Sequence, residues 1–187
     1  VSAQNHAGCL DYLLICLEEL TGTAEFLAVV HRIVHGGSKF STPQILTQEL
    51  LNELRCLSPF APLHLPVEIG LVDELCERFP QLNQIVCFDT AFHQDLPAVA
   101  RRLPIPRRFE AMGVRRYGFH GLSYEYLLQE LERQVGTQVA HGRVILAHLG
   151  NGASMAAVRD GRCLDTSMGF TPAAGLVLGE ARYALWS

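Results

Sequence analysis

The sequence predicts an α/β fold in which one strand-and-helix system gives way to another, and three observations carry that prediction. Amphipathic helical patterns alternate with short apolar runs up to residue 88, the order expected of helices packed on a sheet. The run Ile85-Val86-Cys87-Phe88 is apolar without interruption, as in a strand buried on both faces. Beyond residue 143 the pattern changes to three consecutive strands joined by turns.

Leu10, Leu13, Leu14, Leu17 and Leu20 recur at helical spacing, so an amphipathic helix is expected from about residue 6 to 20, ending at Thr21-Gly22. Phe26 to Val34, rich in Val, runs into Gly36-Gly37, the pattern of a strand entering a tight loop. Ser41 or Thr42 ahead of Pro43 reads as the start of a second helix with Leu46, Leu50, Leu54 and Leu57 on its apolar face. Proline-rich loops follow from Pro59 to Pro66, and a third helix is expected over Gly70 to Phe79, with Leu71, Leu75 and Phe79 in register. Asp89-Thr90 closes the strand at 85–88, and ligands of open α/β sheets bind at the carboxyl ends of strands. After a loop carrying Pro97, Pro104 and Pro106, Ser123 is placed to cap a helix running to about Gln134, with Tyr126, Leu127 and Leu131 inward. Val144 to Leu149, Ala153 to Val158 and Cys163 to Ser167 are the three closing strands, with Asp160-Gly161 as a hairpin turn. A boundary between Asp89 and Pro97 divides the chain into residues 1–90 and 91–187.

At 187 residues, with 49% apolar and 18% charged side chains, the chain can bury a core. A net charge of −4, without aromatic residues interleaved among basic ones, argues against nucleic acid as a partner. No apolar stretch approaches the ~18 residues of a membrane span, and no signal-peptide layout opens the chain, so a soluble cytoplasmic protein is expected. The six cysteines include no C-x-x-C pair and read as buried, reduced thiols. The chain opens without Met and with a helix under way, which points to a fragment.

Three short stretches carry chemistry. His31-Arg32-Ile33-Val34-His35 ahead of Gly36-Gly37 puts a guanidinium at a loop where backbone can approach a ligand, and Arg grips carboxylate or phosphate bidentately. Tyr117-Gly118-Phe119-His120-Gly121 sets an imidazole between glycines ahead of a helix, where it can stabilise developing negative charge. His148-Leu149-Gly150-Asn151-Gly152 lies between two strands, and a nest of N–H groups there suits phosphate oxygens. It is neither a Walker loop nor a dinucleotide fingerprint. The plainer readings are an Arg paired with a nearby acid, a packing or capping histidine, and an ordinary hairpin turn. His31 and His35, with His64, His93 and His120, also allow a metal site, although no His-Glu-x-x-His pattern or cysteine pair supports one.

Taken in order, His-Arg-Ile-Val-His-Gly-Gly, Phe-Asp-Thr-Ala-Phe-His, Arg-Tyr-Gly-Phe-His-Gly, His-Leu-Gly-Asn-Gly-Ala-Ser and Asp-Thr-Ser-Met-Gly-Phe-Thr-Pro resemble the acetate kinase family, from about Asn5 to Gly179. That resemblance implies the actin-like, ribonuclease H-like ATPase fold shared with sugar kinases and Hsp70, with residues 1–90 completing an N-terminal domain and 91–187 beginning a C-terminal one. It implies reversible transfer of the ATP γ-phosphoryl group to acetate with Mg²⁺, giving acetyl phosphate and ADP, in a cytoplasmic homodimer. Arg32 would hold the carboxylate and the transferring phosphoryl, His120 would stabilise its equatorial oxygens, and Asp89 would order Arg32 and the surroundings of the metal. Val34, Leu63, Phe119 and Pro172 would enclose the methyl group. His148, Leu149, Gly150, Asn151 and Gly152 would lie along the phosphates, and no metal ligand is assigned within the chain.

The departures from the family bear on the same questions. Its opening Asn-x-Gly-Ser-Ser-Ser turn, its adenosine-binding glycine motif and its metal-binding Glu have no counterpart here. Its second catalytic Arg falls on Ala181, with Arg182 one place out of register, and the tail Ala184 to Ser187 matches nothing, as in a chain truncated at both ends. The alternative expectation is therefore an inactive fragment or association module of that family.

Overall fold

The computed structural model describes residues 6–21 and 26–176. Gly22, Ala181, Arg182 and the tail from Ala184 lie outside the described residues.

Helix α1 (His6–Thr21) forms where the leucine spacing predicts, yet of its stripe only Leu10 is buried, while Leu13 and Leu20 face solvent. Strand β1 (Ala28–Ile33) is followed by β2 (Gln44–Ile45), α2 (Gln48–Leu57), α3 (Leu65–Arg78) and β3 (Asn83–Phe88). β3 is central, with β1 parallel on one side and β2 antiparallel on the other. Its burial alternates, with Gln84, Val86 and Phe88 covered and Ile85 and Cys87 half-covered, so the apolar run is fully buried on one face only.

Two helix starts differ from expectation. The segment after Pro43 is β2, held by Leu46 N–H donating to the Gln84 carbonyl at 2.8 Å, and α2 begins after Thr47, whose hydroxyl accepts from Leu50 N–H at 3.2 Å. α3 begins at Leu65, five residues before Gly70, because Pro66 sits in its first turn, where the missing N–H costs nothing. Its buried face is therefore Leu65, Ile69 and Val72, and Leu71, Leu75 and Phe79 are only half-covered.

Past β3 the chain makes the short helices α4 (Ala98–Arg101) and α5 (Arg108–Ala111), then α6 (Gly121–Val135) and α7 (Thr137–Ala140). It closes with an antiparallel sheet of β4 (Arg143–Leu149), β5 (Ala153–Arg159) and β6 (Arg162–Thr166) in that order. Asp160 and Gly161 both have positive φ, 54° and 73°, as a type I′ hairpin turn requires. α6 turns Tyr124, Leu127 and Leu128 onto Leu146, Ala156 and Val158, whereas Tyr126 is exposed.

Ile33, Leu54, Leu65, Val72, Val86 and Phe88 form the main core, which Tyr117, Phe119 and Met168 enter from beyond residue 90. Of the six free cysteines only Cys163 is buried, because Cys9 and Cys56 lie on outward helix faces. No helix among the described residues is long and apolar enough to cross a membrane.

Candidate functional site

β1 and β3 run parallel, so their carboxyl ends coincide and bring Arg32 beside Asp89. Arg32 Nη2 donates to Asp89 Oδ2 at 2.5 Å, and Nε reaches both carboxylate oxygens at 3.1 Å. Asp89 is 1% exposed but the Arg32 side chain is 54% exposed, so a buried acid anchors a guanidinium that still faces solvent. The Asp89 hydrogen bond raises the Arg32 pKa from its ordinary value. Behind the pair, Glu68 accepts from Val34 N–H at 2.9 Å, and burial pushes its carboxyl up. The acid-paired and ligand-gripping readings of Arg32 are thus compatible.

The neighbouring glycines serve the fold. A Cβ on Gly36 would lie 2.2 Å from the Phe40 carbonyl oxygen, and its N–H donates to Thr90 Oγ1 at 3.1 Å, so protein occupies the space assigned to a ligand. His35 accepts from Gly37 N–H at 2.8 Å, His31 meets Gln84 at 2.7 Å, and His93 meets Phe119 O and Cys163 at 2.9 and 3.1 Å. These imidazoles are engaged separately, and no group of three potential ligands that could hold a metal occurs among the described residues.

His120 precedes α6 in left-handed conformation, φ 61° and ψ 22°. Gly121 N–H donates to the Asp89 carbonyl at 2.8 Å, which starts the helix two residues before the predicted Ser123 cap. The Ser123 hydroxyl instead meets His148 Nδ1 at 3.0 Å. The rings of His120 and His148 stack at 4.0 Å, 18° from parallel. Burial first, and then His148, lower the His120 pKa to about 4, so the ring is neutral near pH 7. In the β4–β5 turn, Gly150 N–H bonds to the Gly152 carbonyl at 3.1 Å, which removes one donor from the expected phosphate nest.

A cleft of about 450 Å³ joins these groups: Arg32, Asp89, His120, His148, Asn151, Gly152 and Pro172 all line it. His64, Leu122, Ser123 and Met168 line it too; residues 64–68 and 121–124 are stretches where the sequence departs from the resemblance in a way expected to alter the substrate mouth, and Met168 reads only as part of its motif. Their closeness to the motifs was the available signal, since Leu122 and Ser123 follow His120-Gly121 and Met168 lies within the motif that ends at Pro172. Val34 and Phe119 are core residues, 2% and 0% exposed, and Leu63 is 76% exposed, so of the expected methyl pocket only Pro172 reaches the cleft. Leu149 is 77% exposed and, like Gly150, does not line it.

The model of the acetokinase family matches residues 1–183. An acetate kinase of Methylocella silvestris is 49% identical over 179 residues, 96% of this chain and 44% of that protein. One of Rhodopseudomonas palustris is 45% identical, covering 94% and 44%. Among solved structures, a propionate kinase of Francisella tularensis superposes with TM-score 0.87 at 34% identity, over 99% of this chain and 50% of that one. The Porphyromonas gingivalis acetate kinase superposes with TM-score 0.83 at 37% identity, over 96% and 46%. The chain therefore spans under half the length of the curated relatives it matches. Its mixed α/β architecture is in keeping with the actin-like ATPase fold, and the chain belongs to the acetokinase family.

Proposed function

We propose that this chain carries the carboxylate- and phosphoryl-gripping part of an acetate kinase site, for reversible transfer of the ATP γ-phosphoryl group to acetate. The observation that carries the proposal is the convergence of Arg32, His120 and the Asn151-Gly152 turn on one cleft. In-line phosphoryl transfer asks for positioning and charge neutralisation. Arg32, held by Asp89 through Nε and Nη2, has Nη1 left to bind the acetate carboxylate and the transferring phosphoryl. His120, neutral, donates a hydrogen bond to an equatorial oxygen, and His148, Asn151 and Gly152 run along the phosphates. Pro172, Met168 and Leu122 are the apolar cleft groups for the acetate methyl, with Val34 and Phe119 packed in the core and Leu63 in solvent.

Mg²⁺ accompanies ATP in such chemistry, but the described residues do not fit it as ligands. Both Asp89 oxygens are bonded to Arg32, and no cluster of three ligating side chains is present among the described residues. No residue of this chain is assigned to it.

The same proposal takes residues 1–90 and 91–187 as parts of two actin-like units in a cytoplasmic homodimer. Exposed apolar side chains on the sheets, among them Val30, Ile45, Ile145 and Leu149, favour association and also support a second reading as a non-catalytic association module. Sedimentation over a range of concentrations tests association, and a monomer throughout would contradict it.

Hydroxamate trapping of acetyl phosphate made from ATP, Mg²⁺ and acetate tests the catalytic reading. Loss of one charge-stabilising donor typically costs about 10²- to 10³-fold, so that fall is expected for Arg32→Ala. No activity above that variant would leave the association reading standing.

A further inference from the structure

Tyr124 is wholly buried on the first turns of α6, and its hydroxyl meets Ser154 Oγ on β5, which is also wholly buried. Ser154 Oγ in turn lies 2.8 Å from His120 Nδ1. Two side chains that the phosphoryl reading does not use thus form a line of hydrogen bonds ending on the imidazole that it does use.

The direction of that line follows from counting protons. A buried hydroxyl hydrogen needs an acceptor, and Ser154 is the only partner of the Tyr124 hydroxyl among the described residues. If Ser154 donated to the phenol oxygen, the phenolic hydrogen would be left without an acceptor in a dry site, a cost of about 1 to 3 kcal/mol. Tyr124 O–H therefore donates to Ser154 Oγ, and Ser154 O–H donates to His120 Nδ1. A neutral imidazole accepting at Nδ1 carries its hydrogen on Nε2. Burial pushes the Tyr124 pKa up, which keeps its proton in place.

The Nε2 edge is turned toward the cleft. A Cβ built on Gly152 would stand 2.8 Å from His120 Nε2, so the glycine leaves that nitrogen open beside the β4–β5 turn. We propose that Tyr124 and Ser154 are positioning residues that hold His120 as the Nε2–H tautomer, presenting a neutral hydrogen-bond donor to an anionic oxygen in the cleft. The proposal rests on the phosphoryl reading only for the identity of that anion. The ionisable groups facing the ring are His148, stacked on it, with Asp89, Arg32 and His93 nearby. None of them competes for Nδ1, which Ser154 occupies.

The test is a long-range ¹H–¹⁵N correlation spectrum of the histidine rings of the whole chain near pH 7, without nucleotide or acetate. His120 is expected as the Nε2–H form. In Tyr124→Phe, which keeps the ring packed against Phe92 and His93, Ser154 O–H keeps Nδ1 as its only acceptor, so the Nε2–H form is expected to persist, with the Nδ1 resonance moved toward its unbonded position because the polarising phenolic donor is gone. Ser154→Ala, which removes the donor to Nδ1 itself, is expected to raise the Nδ1–H form about tenfold. A predominant Nδ1–H form in the unaltered chain would overturn the proposal even if neither variant folds, and so would a tautomer population unchanged in folded Ser154→Ala or an Nδ1 resonance unmoved in folded Tyr124→Phe. Since no substrate is present, a correct tautomer with no hydroxamate formation would sink the kinase reading alone.

Discussion

The carbonyl of Asp89 accepts the Gly121 N–H at 2.8 Å, so the end of β3 caps the start of α6. The Asp89 carboxylate meanwhile holds Arg32, and Gly121 directly follows His120. One residue therefore sets the guanidinium and the imidazole at a common spacing, backbone for one and side chain for the other.

That joint tolerates no side chain at 121. A Cβ there would lie 2.3 Å from the Asp89 carbonyl oxygen and 2.8 Å from Phe92 Cβ, and a backbone oxygen cannot swing aside. Gly121→Ala is expected to destabilise the chain by about 1 to 3 kcal/mol, read as a lower denaturant midpoint. An unchanged midpoint would mean that the strand end and the helix are not rigidly joined.

Stability should fall on mild acidification. His35 and His93 are buried, and burial lowers each from 6.5 to about 4. Between those values the unfolded chain binds protons that the folded chain refuses, so stability falls as pH drops from 6.5 toward 4. Glu68 and Glu125, raised above 4.5 by burial, act in the opposite sense near the lower end of that range. The slope is therefore cleanest just below 6.5, and urea midpoints that stay level there would contradict it.

Thiol labelling should discriminate sharply. Burial pushes the Cys163 thiol up to about 12, and it lies against His93 Nδ1 at 3.1 Å, whereas Cys9 and Cys56 are exposed. Only thiolate reacts, so peptide mapping after brief alkylation near pH 8 should find Cys9 and Cys56 modified and Cys163 intact. Early labelling of Cys163 in folded protein would show that β6 opens.

What was legible in the sequence was what recurs or what punctuates. Leucine spacing located α1, short apolar runs located the main strands, and Asp160-Gly161 announced its turn through residues that accept positive φ. His148 and Gly152 were found because they interrupt an apolar run at the end of β4, and His120 because glycines flank it ahead of a helix. Val34 and Phe119 look alike in sequence whether they face a ligand or the core, and their packing into the core could not be read from it. β2 was missed because two residues cannot show a period. The role of Ser123 was misread because a cap and a partner for His148 require the same hydroxyl, and only the Asp89–Gly121 contact shows that the cap was already supplied.

The most direct measurement of the central claim is calorimetric titration of acetyl phosphate into the folded chain, into Arg32→Ala and into Gly152→Ala. The account predicts one site in the unaltered chain, weakened about tenfold or more in each variant, by loss of the guanidinium in one and by a methyl group pressed against His120 Nε2 in the other. Equal affinity in all three, or no binding by the unaltered chain, would contradict the claim that Arg32 and His120 jointly grip a carboxylate and a phosphoryl group.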